Sequence, residues 1–355
     1  MEYSLKNIWL LIILSLLLIN FRTKHISSDL KEIEIESKLD SILTSLHQNG
    51  KFNGNVLVAK NDKIIFKKGF GFSRGNKQTL LKTTDKFNIG SIYKEIPAIA
   101  IMQLEEKELI ELNDPIKKHL KNLPDWSNHI TILNLLQYSS GLPKIDWRKH
   151  QEINDEALMN DLLEISNLNS IPGESYLYTN YSPFLLSKIV ENISRTSFQE
   201  YAYQNILKPF ELNNSGFNKL FPYENTDSMS VSFNSDFVED SPPFVIKSSI
   251  FLFSTTIEDM YKLLKNLHSH NIISNNSLNI IGKTADLNIE NMESALGQVQ
   301  FKNNKITKHN HHGSSGNYEC LIHRNNLNKS SIIIFTNNKN DNTHSIKNSI
   351  LDLLK

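Results

Sequence analysis

Ser91 and Lys94 stand three residues apart in "NIGSIYKEI" (88–96), where loop-like sequence gives way to a helical pattern. On a helix, positions i and i+3 share a face with their Cβ atoms ~5–6 Å apart. Backbone N–H groups at a helix start favour developing negative charge. A serine hydroxyl becomes a nucleophile when a neighbour removes its proton, and a lysine can do so where burial or nearby charge lowers its pKa. The plain alternative is a capping serine followed by a solvent lysine. Ser28 and Lys31 repeat the spacing in linker-like sequence, so this pair alone decides nothing.

Two later segments carry chemistry of their own. In "PGESYLYTNYSPF", Tyr178 stands two residues before Asn180 at a turn leading into an amphipathic helix. A tyrosine hydroxyl can relay protons and an asparagine amide can orient a carbonyl, although a turn with an Asn cap would look the same. In "HNHHGSSGNYECLI", His311, His312 and Gly313 come before an expected strand and Gly316 follows. Small residues there would let a strand edge approach a ligand closely. A metal site from His309, His311 and His312 is disfavoured. Strand alternation sends His312 to the opposite face from the other two, and no carboxylate lies in the segment. Neither a metal nor an organic cofactor is expected.

The chain around these residues has 355 positions, 39% hydrophobic and 21% charged, an ordinary globular composition. Lys plus Arg equals Asp plus Glu at 38 each, so charge gives no reason to expect nucleic acid. One cysteine, Cys320, excludes a disulfide within a monomer and a thiolate zinc cage. In the apolar run "ECLI" it reads as a small buried hydrophobe. At the N-terminus a lysine at position 6 precedes an apolar run from Ile8 to Ile19. That run has the length of a signal-peptide core and falls short of the ~20 residues a spanning helix needs. No clean small-x-small cleavage site follows it, and no cysteine for lipid attachment. Export is expected, to the periplasm or to a membrane-anchored position facing outward.

The elements that must position the site can be read in order. A helix starts at Ser28 or Asp29 and stops at Gly50, with Ile33, Leu39, Ile42, Leu43 and Leu46 at helical spacing. A hairpin follows, with strands at 56–58 and 64–66 around Asn61-Asp62. From Ser91 to about residue 215 the pattern is mainly helical, broken at "LNDP", "LPDW", "SSGLP" and "IPGE". Then come a helix in "TTIEDMYKLLKNLH", strands around 296–301, 318–323 and 331–336, and a closing helix. The expected architecture is α+β: the two ends combine into one antiparallel sheet with terminal helices on it, the middle forms an all-helical lobe, and a cleft lies between them. The expected divisions are 1–25 as signal peptide or anchor, 26–51 as linker and first helix, and 52–355 as the catalytic domain.

Ser-x-x-Lys, then Tyr-x-Asn, then His-x-Gly before a late strand, in that order, resembles the serine β-lactamase and penicillin-binding-protein superfamily. The closest likeness is its class C-like branch of β-lactamases, D-alanyl-D-alanine carboxypeptidases and esterases. The likeness extends over residues 52 to 340, through "FNGNVLVAKNDKIIFKKGFGFS", "ITILNLLQYSSGLP", "FSTTIEDMYKLL" and "IIIFTNNKN". It implies Ser91 as acylated nucleophile, Lys94 as its activator, and Tyr178 as general acid and base toward the leaving group. Asn180 would hold the substrate amide. His311 would set electrostatics facing Tyr178 and the substrate, with Gly313 and His312 lining the binding site. The backbone N–H groups of Ser91 and Ser314 would form the oxyanion hole.

Four departures bear on the cleft. Pro97 should distort the nucleophile helix. Ile250 and Phe251 replace the family's usual glycines and should crowd the site. Asn317 takes the place of a later glycine, in a left-handed conformation that Asn tolerates. The reading is an exported, monomeric serine hydrolase acting on a small-molecule or peptidoglycan-derived amide or ester. His311 in place of lysine inclines it toward a peptidase or esterase. The rivals are a true class C-like β-lactamase, a non-catalytic protein that binds cell-wall fragments, and a purely structural membrane-anchored protein.

Overall fold

The structure is a computed structural model, and its described residues are 31–223 and 226–355. The N-terminal apolar run and the helix start at 28–29 lie outside them. The first described helix, α1, covers 31–48, and Gly50 beyond it adopts a left-handed φ of 68°.

Six strands form one antiparallel sheet: β1 (Gly54–Lys60), β2 (Lys63–Phe70), β3 (Gln298–Lys302), β4 (Lys305–Ser315), β5 (Tyr318–Asn325) and β6 (Ser330–Thr336). Their spatial order is β2-β1-β6-β5-β4-β3. The two ends of the chain therefore meet in the middle of the sheet, from Gly54 opposite Thr336 to Ala59 opposite Ser331. The first hairpin turns at Asn61 and Asp62, with φ of 52° and 59°. That left-handed pair matches the twist of the flanking strands.

Alternation along the central strands feeds two cores. Val56, Val58, Ile332 and Ile334 pack with Leu39 and Leu43 of α1 and with Ile346 and Ile350 of the closing helix α5 (Thr343–Leu354). Leu57, Ala59, Ile333 and Phe335 face the other way. They join a larger core with α2 (Glu95–Glu105), the helix that follows Ser91 and Lys94, and with α3 (Tyr181–Ser194) and α4 (Ile257–His268). The helical middle is as expected, interrupted by the short strand Glu152–Ile153 and flanked by the short strands Phe87–Asn88 and Phe253–Thr255, which pair with one another. Among the described residues no helix is long and apolar enough to cross a membrane.

One element differs from its sequence-based expectation. The His-x-Gly motif lies inside strand β4 rather than ahead of a strand. The inward positions of β4 are Ile306, His309, His311 and Gly313, all buried. Histidine and glycine stand where alternating aliphatics would normally mark a strand, so the period-2 signal is masked.

Candidate active site

The turn that carries Ser91 and Lys94 is a 3-10 helix, Gly90–Lys94, running directly into α2. With three residues per turn, positions i and i+3 eclipse. Lys94 Nζ donates to Ser91 Oγ at 3.0 Å. Neither residue plays the plain structural part. The turn has no side-chain cap, Ser91 is half-buried, and Lys94 is only 2% exposed. Pro97 falls in the first turn of α2, where its missing N–H has no partner within α2 to lose, and the helix runs on to Glu105.

Lys94 Nζ sits 4.8 Å from the ring centroid of Tyr93 and 4.6 Å from that of Tyr178. Burial pushes its ammonium down to about 7, partly opposed by the Glu293 carboxylate. The Tyr178 hydroxyl hydrogen-bonds to Ser91, and its ring leans on Tyr138 at 4.7 Å. Burial raises this hydroxyl well above the usual tyrosine range. The Ser91 bond works against that rise, while Glu293 and Tyr176 add to it. At neutral pH the arrangement pairs a lysine that can accept a proton with a tyrosine that keeps its own.

Asn180 occupies the N-cap position of α3 but makes no side-chain cap. Its Oδ1 instead accepts from Tyr93 Oη at 3.2 Å, which leaves the NH₂ as a donor toward a ligand. Ile250 and Phe251 are both buried. Phe251 meets Tyr93 edge-on at 5.7 Å and Trp147 at 5.2 Å, so it supports the wall of the site.

Strand β4 lies directly against the turn that carries Ser91. A Cβ on Gly313 would fall 2.1 Å from the Ile89 carbonyl oxygen and 2.8 Å from the Ser91 nitrogen. Gly90 has φ +53°, and a Cβ there would fall 2.4 Å from the Ser314 nitrogen. The backbones of Ser91 and exposed Ser314 are thus brought together by two glycines that nothing larger can replace.

His311 and His312 part ways. His312 points to the far face of the sheet, bonding Glu319 at 3.2 Å beside the His344 ring. It does not join the cleft, which corrects its expected place in substrate binding. His311 is on the near face but only 2% exposed, its Nδ1 2.7 Å from Glu95 Oε1. It meets Glu95 rather than lying open toward Tyr178. Asn317 is also corrected: the left-handed residue is Gly316 at φ 56°, and Asn317 donates its backbone N–H to Asp240. Cys320 is fully buried, as expected.

Four residues of the site carried no motif in the sequence. Glu95 follows Lys94 directly, and Tyr93, Tyr138 and Glu293 close around Lys94 and Tyr178. Glu293 comes from a loop-like stretch about two hundred residues after Lys94, with no periodic pattern to single it out.

The Beta-lactamase family model matches residues 39–354. Protein flp of Staphylococcus aureus (strain MW2) is 24% identical over 318 residues, covering 85% of this chain and 63% of its own length. The chain thus spans less than two-thirds of that curated relative. The crystal structure of a penicillin binding protein from Bacillus halodurans superposes with a TM-score of 0.76 at 21% identity, over 88% of this chain and 98% of that one. FmtA from Staphylococcus aureus gives 0.73 at 21% identity, over 93% and 91%. At such identities the likeness to these solved structures is one of fold.

Proposed function

Because the chain belongs to the beta-lactamase family, we propose that it is an exported serine hydrolase that forms an acyl-enzyme on amide or ester substrates. The observation that carries this reading is the 3.0 Å bond from a buried Lys94 amine, held near neutrality, to the Ser91 hydroxyl. Ser91 Oγ attacks the substrate carbonyl carbon while its proton passes to Lys94 Nζ. The carbonyl oxygen becomes an oxyanion facing the N–H groups of Ser91 and Ser314. As the carbon–nitrogen or carbon–oxygen bond breaks, Tyr178 donates its proton to the leaving group and is reprotonated from Lys94. Water then attacks the acyl carbon and gives up a proton to the same pair, and as the bond from the acyl carbon to Ser91 Oγ breaks, that proton passes to Oγ and the acid is released. The free NH₂ of Asn180 suits an acyl-side carbonyl.

Within this chemistry the reading favours a D-alanyl peptide of peptidoglycan or a small ester. The position where a cationic side chain could meet a β-lactam carboxylate holds His311, and its Nδ1 is engaged by Glu95. Export rests on the apolar run at Ile8–Ile19.

Intact-mass spectrometry of the full chain after exposure to a fluorescent penicillin and, separately, an activated ester tests the proposal, with Ser91→Ala as control. An adduct lost in Ser91→Ala is expected. A long-lived penicillin adduct marks a peptidase, a fleeting one a β-lactamase, and an ester-only adduct an esterase. No adduct with either probe on folded protein would leave the non-catalytic binding reading.

A further inference from the structure

Behind the nucleophile turn, an unbroken line of hydrogen bonds runs through the interior. Asp62 Oδ1 holds Arg324 at 2.6 Å, and Arg324 Nε donates to Asn326 Oδ1 at 3.1 Å. Asn326 Nδ2 donates to the Ile306 carbonyl at 2.9 Å and lies 2.9 Å from His268 Nδ1. His268 Nε2 is 3.0 Å from His309 Nδ1, and His309 Nε2 is 3.1 Å from Glu95 Oε1. The same oxygen takes His311 Nδ1 at 2.7 Å. Glu95, His309 and His311 are 1%, 0% and 2% exposed.

The two ends fix every proton between them. Arg324 only donates and a backbone carbonyl only accepts, so the amide of Asn326 has one orientation and its NH₂ faces His268. His268 Nδ1 must then be bare and its Nε2 protonated. His309 Nδ1 must accept, so its Nε2 carries the proton that Glu95 receives. Burial, with His309 and Arg324 nearby, holds His268 far below the usual histidine range, which keeps Nδ1 bare at neutral pH. At the other end, burial alone would raise the Glu95 carboxyl, but His309 and His311 together hold it at about 2. It is therefore an anion receiving two N–H groups.

The inner part of this line, from His268 to Glu95, joins three elements. Glu95 opens the helix that follows Ser91 and Lys94, His309 and His311 belong to β4, and His268 ends α4. β4 also carries Gly313 and Ser314, whose backbone abuts Gly90 and Ser91. We propose that Glu95 is a positioning residue: held by His309 and His311, it clamps β4 to the nucleophile turn and so sets the spacing of the Ser91 and Ser314 N–H groups. The proposal rests on the serine hydrolase reading, since an oxyanion hole matters only if acylation occurs there. Glu95 itself does not touch the reacting atoms.

Two measurements on the full chain test it. In ¹⁵N-histidine NMR, His268 and His309 should be Nε2–H tautomers while His311 carries its proton on Nδ1. In acylation by an activated ester, Glu95→Ala should slow kcat about 10- to 100-fold, short of the full loss of an oxyanion donor. KM should change less than ~3-fold, and the ¹³C-labelled acyl carbonyl stretch should move to higher frequency. Glu95→Gln should stay close to wild type, because its amide oxygen can still accept both N–H groups. A wild-type rate and an unshifted stretch in Glu95→Ala would remove the clamp and leave the hydrolase standing. So would His311 protonated on Nε2 alone. The three ligand atoms also lie within 4.8 Å of one another, and a tightly held stoichiometric metal by elemental analysis would likewise overturn the hydrogen-bond line. Wild-type protein that takes no acyl group would overturn the hydrolase reading and the clamp with it. Should Glu95→Ala fail to fold, the tautomers and Glu95→Gln still decide.

Discussion

Lys94 ties the chemistry to a cost in stability. Its amine titrates near 7 in the folded protein, below the ordinary lysine value of 10.5, because burial disfavours the charge. Between those values the unfolded chain binds the extra proton, so stability should rise with pH across that window. Below pH 7 the amine is charged in both states, and its burial costs most, at about 1.4 kcal/mol for each tenfold loss of proton affinity. Lys94→Met should therefore melt higher than wild type at pH 6, by roughly 1–2 °C for each kcal/mol regained in a chain of this length. The gap should close as pH approaches 10, and differential scanning calorimetry across pH checks it. In the same protein the acylation rate should climb with pH to a plateau above about 7 as Lys94 loses its proton. A stopped-flow profile flat from pH 5.5 to 9 would contradict Lys94 as the acceptor. At this scale Ser91, Lys94, Tyr178 and Asn180 were legible because their types and order name the chemistry. Glu95 and Glu293 were not, since a single carboxylate near a motif has no signature until the fold brings it there.

Strand β4 is the element on which the site depends and the one the sequence disguised. Its inward face uses histidines to bond across to Glu95 and a glycine to admit the Ser91 backbone. Both choices erase the aliphatic signal, whereas β6 announces itself by the unbroken apolar run Ile332–Phe335. The same loss hid which residue makes the turn after the motif, Gly316 rather than Asn317. Gly313→Ala places a methyl 2.1 Å from the Ile89 carbonyl, so the strand must withdraw from the turn. Gly90→Ala adds a positive φ that alanine tolerates poorly to a similar clash. Each should cut acylation by roughly 100-fold or more, as for loss of an oxyanion donor. The far-UV circular dichroism of folded protein should stay near wild type. Single-turnover labelling with the activated ester measures the loss.

On the scale of the molecule, the α+β plan was legible because each part has a strong local signal: amphipathic ends, a left-handed hairpin turn, a helical middle. How the late strands order themselves was not, because no local pattern states that β6 lies between β1 and β5. The two cores on opposite faces of the sheet separate support from chemistry. Leu43→Ala, in the core beneath α1 and α5, should cost about 2–5 kcal/mol of stability. Denaturant unfolding measures that cost, and below the transition the acyl-adduct lifetime should match wild type.

The meeting of the chain's two ends carries a consequence for how the protein comes into being. Asn53 Nδ2 bonds Asn337 Oδ1 at 2.6 Å across 284 positions of sequence. Strand β1 therefore has no lasting neighbour on one edge until nearly all of the chain has been synthesised. Contacts this distant in sequence form slowly, and an apolar edge left waiting invites pairing with other molecules. A chain threaded N-terminus first across a membrane would arrive with β1 and β2 exposed and their partner still to come, so the nascent protein would lean on holding factors until residues 330–336 emerge.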